Sequence, residues 1–170
     1  MAKEYTKERV LAFLNDSKVS YDVQEHGAVH TMADVDSAGV QRKGIVLKNL
    51  FLKDGKGRKH FLVSVPEDVQ IDFGMLGGRL GVKKMGLASA ERLERYLGVE
   101  QGCVSPLGIL NDEERAVVVV FDSNLPEDTV VGIHPNDTTA SVWMKFGDVV
   151  RIVEEHGNEV VRLDLSGQEV

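Results

Sequence analysis

The sequence predicts an α+β fold built on a mixed, barrel-like β-sheet with surrounding helices, and three observations carry that expectation. Strand-like apolar runs and helix-periodic segments mix without the regular βαβ spacing of a doubly wound sheet. Val117-Val118-Val119-Val120-Phe121 is an unbroken β-branched run, the pattern of a strand buried on both faces. Leu47–Lys53 and His60–Val65 are two more apolar runs, separated by Asp54-Gly55-Lys56-Gly57-Arg58-Lys59, which reads as a hairpin near the sheet's centre.

The remaining elements follow in chain order. Thr6 is placed to cap a helix reaching about Asp16, because Val10, Leu11 and Leu14 recur at helical spacing. Ser20–Glu25 alternates as a short strand. Thr31–Asp36 opens a short helix with acidic residues where the helix dipole favours them. Val69–Leu76 predicts a helix weakened by Gly74 and stopped by Gly77-Gly78, and Val82–Gly86 a strand or extended link. Ser89 caps a clearer helix, Ala90–Leu97, which Gly98 ends. Val130–Ile133 and Thr139–Trp143 stand at hairpin distance around Pro135-Asn136-Asp137. Phe146–Glu155 is the last helix, with Val149, Val150 and Val153 facing in, and Val160–Leu165 a closing strand.

A chain of 170 residues with 42% hydrophobic content can bury the core of one domain, so a single unit over residues 1–170 is expected. No stretch approaches the roughly 18 to 20 apolar residues of a membrane span, and Met1-Ala2-Lys3-Glu4-Tyr5 lacks the apolar run of a secretory signal. The expectation is a cytoplasmic protein with no membrane partner. Cys103 is the only cysteine, which excludes an internal disulfide and argues against structural zinc. His26 and His30 are four apart, but Gly27 lies between them and the segment does not read as a helix. Neither a metal nor another cofactor is expected.

The net charge of −7 opposes generic nucleic-acid binding, yet its distribution is uneven. Residues 1–60 carry 11 Lys and Arg against 8 Asp and Glu, whereas the rest carry 9 against 19. Within Arg42–Lys59 seven basic residues face only Asp54. Such a patch on an acidic body steers an RNA end to one face; the other reading of Lys53–Lys59 is a solvated hairpin tip.

Lys48-Asn49-Leu50-Phe51-Leu52 and Gly102-Cys103-Val104-Ser105-Pro106-Leu107-Gly108 are the segments that suggest chemistry. Lys48 places an ammonium beside a core strand, which is costly unless it is paired or reaches a cavity; an edge lysine with its head in water fits the same pattern. Asn49 points to the opposite face of a regular strand. Two glycines and a proline in Gly102–Gly108 favour an exposed, shaped backbone whose N–H groups are free for an oxyanion, or else a plain turn. Cys103 lacks a sequence neighbour that would mark it as a nucleophile and reads as a lining residue. His134 follows a strand and precedes Pro135, so it either exchanges a proton near neutral pH or holds a fixed hydrogen bond.

Together with His134-Pro135-Asn136 and Glu25-His26-Gly27-Ala28-Val29-His30-Thr31, these motifs in this order resemble the YbaK superfamily, the free-standing relatives of the prolyl-tRNA synthetase editing domain. The chain looks most like the ProX-type branch, and the resemblance runs from about Thr6 to about Leu165. It implies hydrolysis in trans of the aminoacyl ester of mischarged tRNA(Pro), with Ala-tRNA(Pro) the first candidate and Cys-tRNA(Pro) or another small aminoacyl-tRNA the alternative. A non-catalytic module that binds tRNA or a synthetase is the reading from another class. The resemblance implies catalytic roles for Lys48 and His134. It further implies substrate contacts from Asn49 and from Gly102, Cys103, Val104, Ser105, Pro106, Leu107 and Gly108. The partners it implies are the tRNA 3′ aminoacyl end and prolyl-tRNA synthetase.

Overall fold

The computed structural model describes residues 4–26 and 43–165. Among them, strands β1 (Tyr21–Glu25), β2 (Ile45–Lys53), β3 (His60–Pro66), β5 (Val117–Asp122), β6 (Val130–Ile133), β7 (Ala140–Lys145) and β8 (Val160–Leu163) form one mixed sheet in the order β1-β7-β6-β2-β3-β5-β8. A two-residue strand, β4 (Gly86–Leu87), is added to β2. The helices are α1 (Lys7–Asp16), α2 (Phe73–Leu80), α3 (Ala90–Leu97), a 3₁₀ helix (Pro106–Asn111) and α4 (Phe146–His156). The expected α+β class and the central hairpin are both present: β2 and β3 are antiparallel, with Leu47 opposite Pro66 and Lys53 opposite His60.

Strand alternation splits the core into two layers. Leu47, Phe51, Leu62, Val119 and Phe121 face one side, where α1, α3, the 3₁₀ helix and α4 cover them. Leu52, Val63, Val65 and Val120 face the other, against Leu76 of α2 and Leu165. β5 is therefore covered on both faces, as its β-branched run predicts, and it is parallel to both β3 and β8. Ser89 and Gly98 delimit α3 as expected: the Ser89 hydroxyl accepts from the Arg92 N–H at 3.2 Å, and Gly98 adopts φ +66°.

Several expectations are corrected. The helix expected over Val69–Leu76 lies at Phe73–Leu80, because Asp72 caps it by accepting from the Met75 N–H at 3.1 Å. Gly77 and Gly78 fall inside it, and the stop is Gly81, at φ +73°. Thr6 stands at the start of α1 without a side-chain capping bond. Of Val82–Gly86 only Gly86 joins a strand, and β7 begins at Ala140 and runs on to Lys145. The exposed loop expected through Gly108 gives way at Pro106 to a 3₁₀ helix that is buried throughout, because Leu107, Ile109 and Leu110 enter the core. The helix expected at Thr31–Asp36 lies outside the described residues. No helix of the described residues is long and apolar enough to cross a membrane.

Candidate functional site

The Lys48 segment borders a break in the sheet. On one edge of β2, the parallel strand β6 pairs only at Ile45 with Val131 and Val46 with Gly132, while β4 pairs only at Leu52 and Lys53. Between these contacts, Leu47–Phe51 has no strand on that edge among the described residues. Phe51 turns its carbonyl to this edge, accepting from the Ala88 N–H at 2.9 Å. Alternation therefore turns the backbone N–H and C=O of Asn49 to the same open edge.

The broken ladder also aligns two of the expected residues. Lys48 and His134 each stand two residues beyond the last coupled pair, Val46 and Gly132, so the strands deliver them to the same level as they part. Gly132 permits the course of β6, since a Cβ there would sit 2.6 Å from the Trp143 ring. Lys48 lies on the face shared with Leu52, half-buried, and its ammonium donates to the Val69 carbonyl. One backbone acceptor holds the stem of the side chain in place and leaves two of three ammonium protons for other groups.

Asn49 faces the opposite layer, as alternation requires, alongside Leu47 and Phe51 and across from Ser64. Its Oδ1 and the Ser64 hydroxyl are buried, and neither has a hydrogen-bond partner among the described residues. The structure thus separates Lys48 from Asn49 by the thickness of the strand.

His134 is held by its own hairpin. Its Nδ1 lies 3.0 Å from the Ala140 carbonyl, which can only accept, so Nδ1 carries the proton and Nε2 presents a lone pair in the neutral ring. Burial, helped by neighbouring His26, lowers the basicity of the ring from its ordinary value. The turn below it is an Asx motif: the Asp137 carboxylate accepts from the Thr139 N–H at 2.8 Å and hydroxyl at 2.5 Å, and these bonds hold its pKa down. Lys7 reaches from α1 to the Thr139 hydroxyl at 3.1 Å, tying the turn to the first helix.

The Gly102–Gly108 segment packs against that same turn. The Cys103 thiol lies beside Thr138, and a Cβ on Gly108 would lie 3.7 Å from the buried Asn136 Oδ1, an acceptor without a partner among the described residues. Burial pushes the Cys103 thiol up, which keeps it protonated and suits a lining role better than a nucleophilic one. The expected row of free N–H donors is shorter than the segment. Cys103 donates to the Glu100 carbonyl, Gly108 to the Ser105 carbonyl and Leu107 to the Ser105 hydroxyl, and Pro106 has no N–H. Among the described residues no acceptor meets the N–H of Gly102, Val104 or Ser105; Gly102 is exposed, Val104 half-buried and Ser105 fully buried.

The structure therefore gathers His134 with Gly102–Gly108, aligns Lys48 with His134, and sets Asn49 on the inner face. Sequence reasoning missed three contributors: His26, whose Nε2 lies 2.9 Å from the Ser141 hydroxyl beside His134; the Asp137–Thr139 turn; and the main chain of β2 at its open edge. Asp-x-Thr after a Pro-Asn pair is an Asx-turn signal that the sequence does contain.

Residues 26–152 match the aminoacyl-tRNA editing domain family. The chain is 40% identical over 159 residues to the prolyl-tRNA editing protein ProX of Acetoanaerobium sticklandii, covering 94% of this chain and 97% of that one. It is 37% identical over 145 residues to prolyl-tRNA synthetase associated domain-containing protein 1 of Danio rerio, with 84% and 78% covered. A solved structure described as a candidate trans-editing enzyme for prolyl tRNA synthetase superposes with a TM-score of 0.70 at 21% identity, covering 92% of this chain and 95% of that chain, a likeness of fold. With residues 26–152 inside the matched region and 40% identity to the ProX relative over nearly the whole of both chains, this chain belongs to the aminoacyl-tRNA editing domain family.

Proposed function

We propose that the protein hydrolyses the ester joining a wrongly attached small amino acid to the 3′ end of tRNA(Pro), alanine first among them, acting in trans on the product of prolyl-tRNA synthetase in the cytoplasm. Residues 1–170 act as one editing unit. The observation that carries this reading is the alignment of Lys48 and His134 beyond the last β2–β6 pair, beside the open edge of β2. Family membership supplies the reaction class, and the ProX relative of Acetoanaerobium sticklandii is named for prolyl-tRNA editing.

In this reading a water oxygen adds to the ester carbonyl carbon and the bond to the ribose 3′-oxygen breaks, releasing the free amino acid and a 3′-hydroxyl. Lys48, anchored on Val69, places its remaining ammonium protons toward the terminal phosphate or the developing oxyanion, and the Val104 N–H faces the same charge. Neutral His134 accepts a hydrogen bond at Nε2 and orients the water. Its low basicity makes it a poor terminal proton store, so the neighbouring ribose 2′-hydroxyl relays the water's proton to the leaving 3′-oxygen. Alanine fits wherever proline fits, and synthesis alone discriminates them poorly; a second pocket too small for the proline ring provides the missing selection.

Incubation with purified Ala-, Cys-, Ser- and Pro-tRNA(Pro) tests this directly. Rapid loss of alanine with proline spared is the expected result. Release of none of the four above the spontaneous rate would overturn the reading.

A further inference from the structure

At the far end of β2 from Lys48, three pieces of chain bring cations together. The hairpin tip carries Lys53, Lys56, Arg58 and Lys59. Lys83 and Lys84 lie against it, where the Gly55 N–H donates to the Lys83 carbonyl at 2.8 Å. From α3, Arg92 donates to the Gly57 carbonyl at 3.0 Å, and Arg95 follows one turn later. The acids on these same segments are Asp54, Glu91 and Glu94, and the Asp54 carboxylate is occupied by the Arg58 and Lys59 N–H groups at 2.8 and 3.1 Å. Among the described residues the ion pairs lie elsewhere, at Lys7–Glu25, Arg9–Glu4, Lys43–Asp22, Arg151–Asp148 and Arg162–Glu127. Four of the nine cations in the acidic stretch after residue 60 thus fold back onto the one basic tip. Buried His60 registers the field, since after burial itself the charges of Arg92, Arg95 and Lys53 all weaken its basicity.

We propose that this cluster is the docking surface for the phosphodiester backbone of the RNA stem whose 3′ end enters the Lys48–His134 site. The identity of the RNA rests on the deacylase reading; the surface rests on charge and position. β4 pairs along the edge of β2 that has no partner strand at Leu47–Leu50 among the described residues, and the Lys83–Lys84 loop just before β4 bonds the hairpin tip at Gly55, so the cluster and the opening share one side of one strand. From Lys48 to Lys53 the strand rises about 17 Å at ~3.4 Å per residue. Phosphates of a stacked strand repeat about every 3.4 Å, so about five nucleotides cover the distance and bring the first stem phosphates onto the cations. The rest of the chain is acidic and repels RNA, which makes the cluster both a binding surface and a guide to register.

The test combines Lys56→Glu, Lys59→Glu and Lys83→Glu, all exposed positions, with Lys→Gln at the same three sites as a milder companion. Binding of an uncharged RNA hairpin with a single-stranded 3′ overhang is followed by fluorescence anisotropy across a salt series, alongside hydrolysis of Ala-tRNA(Pro) and of a minimal alanyl-adenosine ester. The Glu variant should bind the hairpin at least about 10-fold more weakly, with a log–log salt slope shallower by about one for each phosphate that is no longer neutralised. The Gln variant should fall between. Hydrolysis of the minimal ester should be unchanged. Equal hairpin affinity and equal salt slope in wild type and both variants would overturn the surface, even if Ala-tRNA(Pro) is hydrolysed normally. Charge-dependent hairpin binding by a wild type that cleaves no ester would uphold the surface and remove the deacylase reading instead.

Discussion

His134 donates from Nδ1 to the carbonyl of Ala140, six residues on, at 3.0 Å, and this bond decides which ring nitrogen is available for chemistry. With Nδ1 committed, Nε2 must act as an acceptor, a role that protonation removes. Because burial lowers its pKa from the ordinary 6.5, the ring is neutral at pH 7 and the lone pair is present. Deacylation should therefore be flat around neutral pH and fall, with unit slope in log kcat/KM, only once the medium is acidified past the ring's lowered pKa, on the acid side of 6.5. His134→Ala should lower the plateau and abolish that acid limb. An identical limb in the variant would assign it to another group.

Lys48→Ala should cost about 10²- to 10³-fold in kcat/KM, the effect of removing one donor from a developing oxyanion. The side chain is only half-buried and its one hydrogen bond among the described residues is to the Val69 carbonyl, so the thermal midpoint should move by no more than a few degrees. Lys48→Arg restores the charge but replaces a compact ammonium with a planar fork, and should recover little. Full activity in Lys48→Ala with an unchanged circular dichroism spectrum would remove Lys48 from the site.

Much of this fold is legible in the sequence because its signals are local. Ser89 and Gly98 bracket α3 by their own backbone chemistry, and the Val117–Phe121 run declares a strand covered on both sides. The departures arise where tertiary contacts decide. Gly77 reads as a stop, yet it lies in α2 at a point where a Cβ would meet the Val82 carbonyl at 3.1 Å, so its smallness serves packing. Pro106-Leu107-Gly108 reads as an exposed loop, but the apolar side chains on both sides of Gly108 pull it under the helices. Lys48, His134 and the loop are each visible as residues in the sequence. Their relative placement is not, because β6 leaves β2 after Val46, a register that no local pattern encodes. The basic tip is visible in part: Lys53–Lys59 is a run, whereas Arg92 and Arg95 join it only through the docking of α3.

His60 gives the protein an acid-sensitive element apart from the site. It is 2% exposed, packs against the rings of Phe51 and Tyr96, and accepts from the Arg92 guanidinium at 2.9 Å. Burial first, then the Arg92, Arg95 and Lys53 charges, lower its pKa from 6.5 to about 4, against the opposing pull of Asp54. Between those values the unfolded chain binds a proton that the folded chain refuses, so stability is lost as pH falls from 6.5 toward 4 and is restored as it rises. The slope should approach about 1.4 kcal/mol per pH unit for this one group, with half-buried His134 adding in the same direction. Urea titrations at pH 7, 6 and 5 should show the decline, and a His60→Gln variant should flatten it. The same pH dependence in the variant would place its source elsewhere.

The proposed wall of the amino-acid pocket can be probed at two adjacent residues that the structure makes unequal. Ser105 is 0% exposed and its hydroxyl accepts from the Leu107 N–H at 3.2 Å, capping the 3₁₀ helix. Ser105→Leu therefore forces bulk into a filled space and breaks a cap. It should destabilise the protein by about 1–3 kcal/mol for the overpacking alone, and lose activity on every substrate together. Val104 is half-buried and follows Cys103, which lies beside Thr138 of the His134 turn, so its side chain can change with less cost to the core. Val104→Ala should admit larger residues and raise Pro-tRNA(Pro) deacylation relative to Ala-tRNA(Pro), whereas Val104→Phe should exclude even alanine. A methylene in such a pocket is worth about 1–3 kcal/mol, so the preference should shift roughly 10- to 200-fold without inverting. The measurement is the ratio of kcat/KM for Ala- and Pro-tRNA(Pro), with a thermal melt of each variant. A constant ratio in both Val104 variants, with melts like wild type, would mean that the amino acid is measured against another wall.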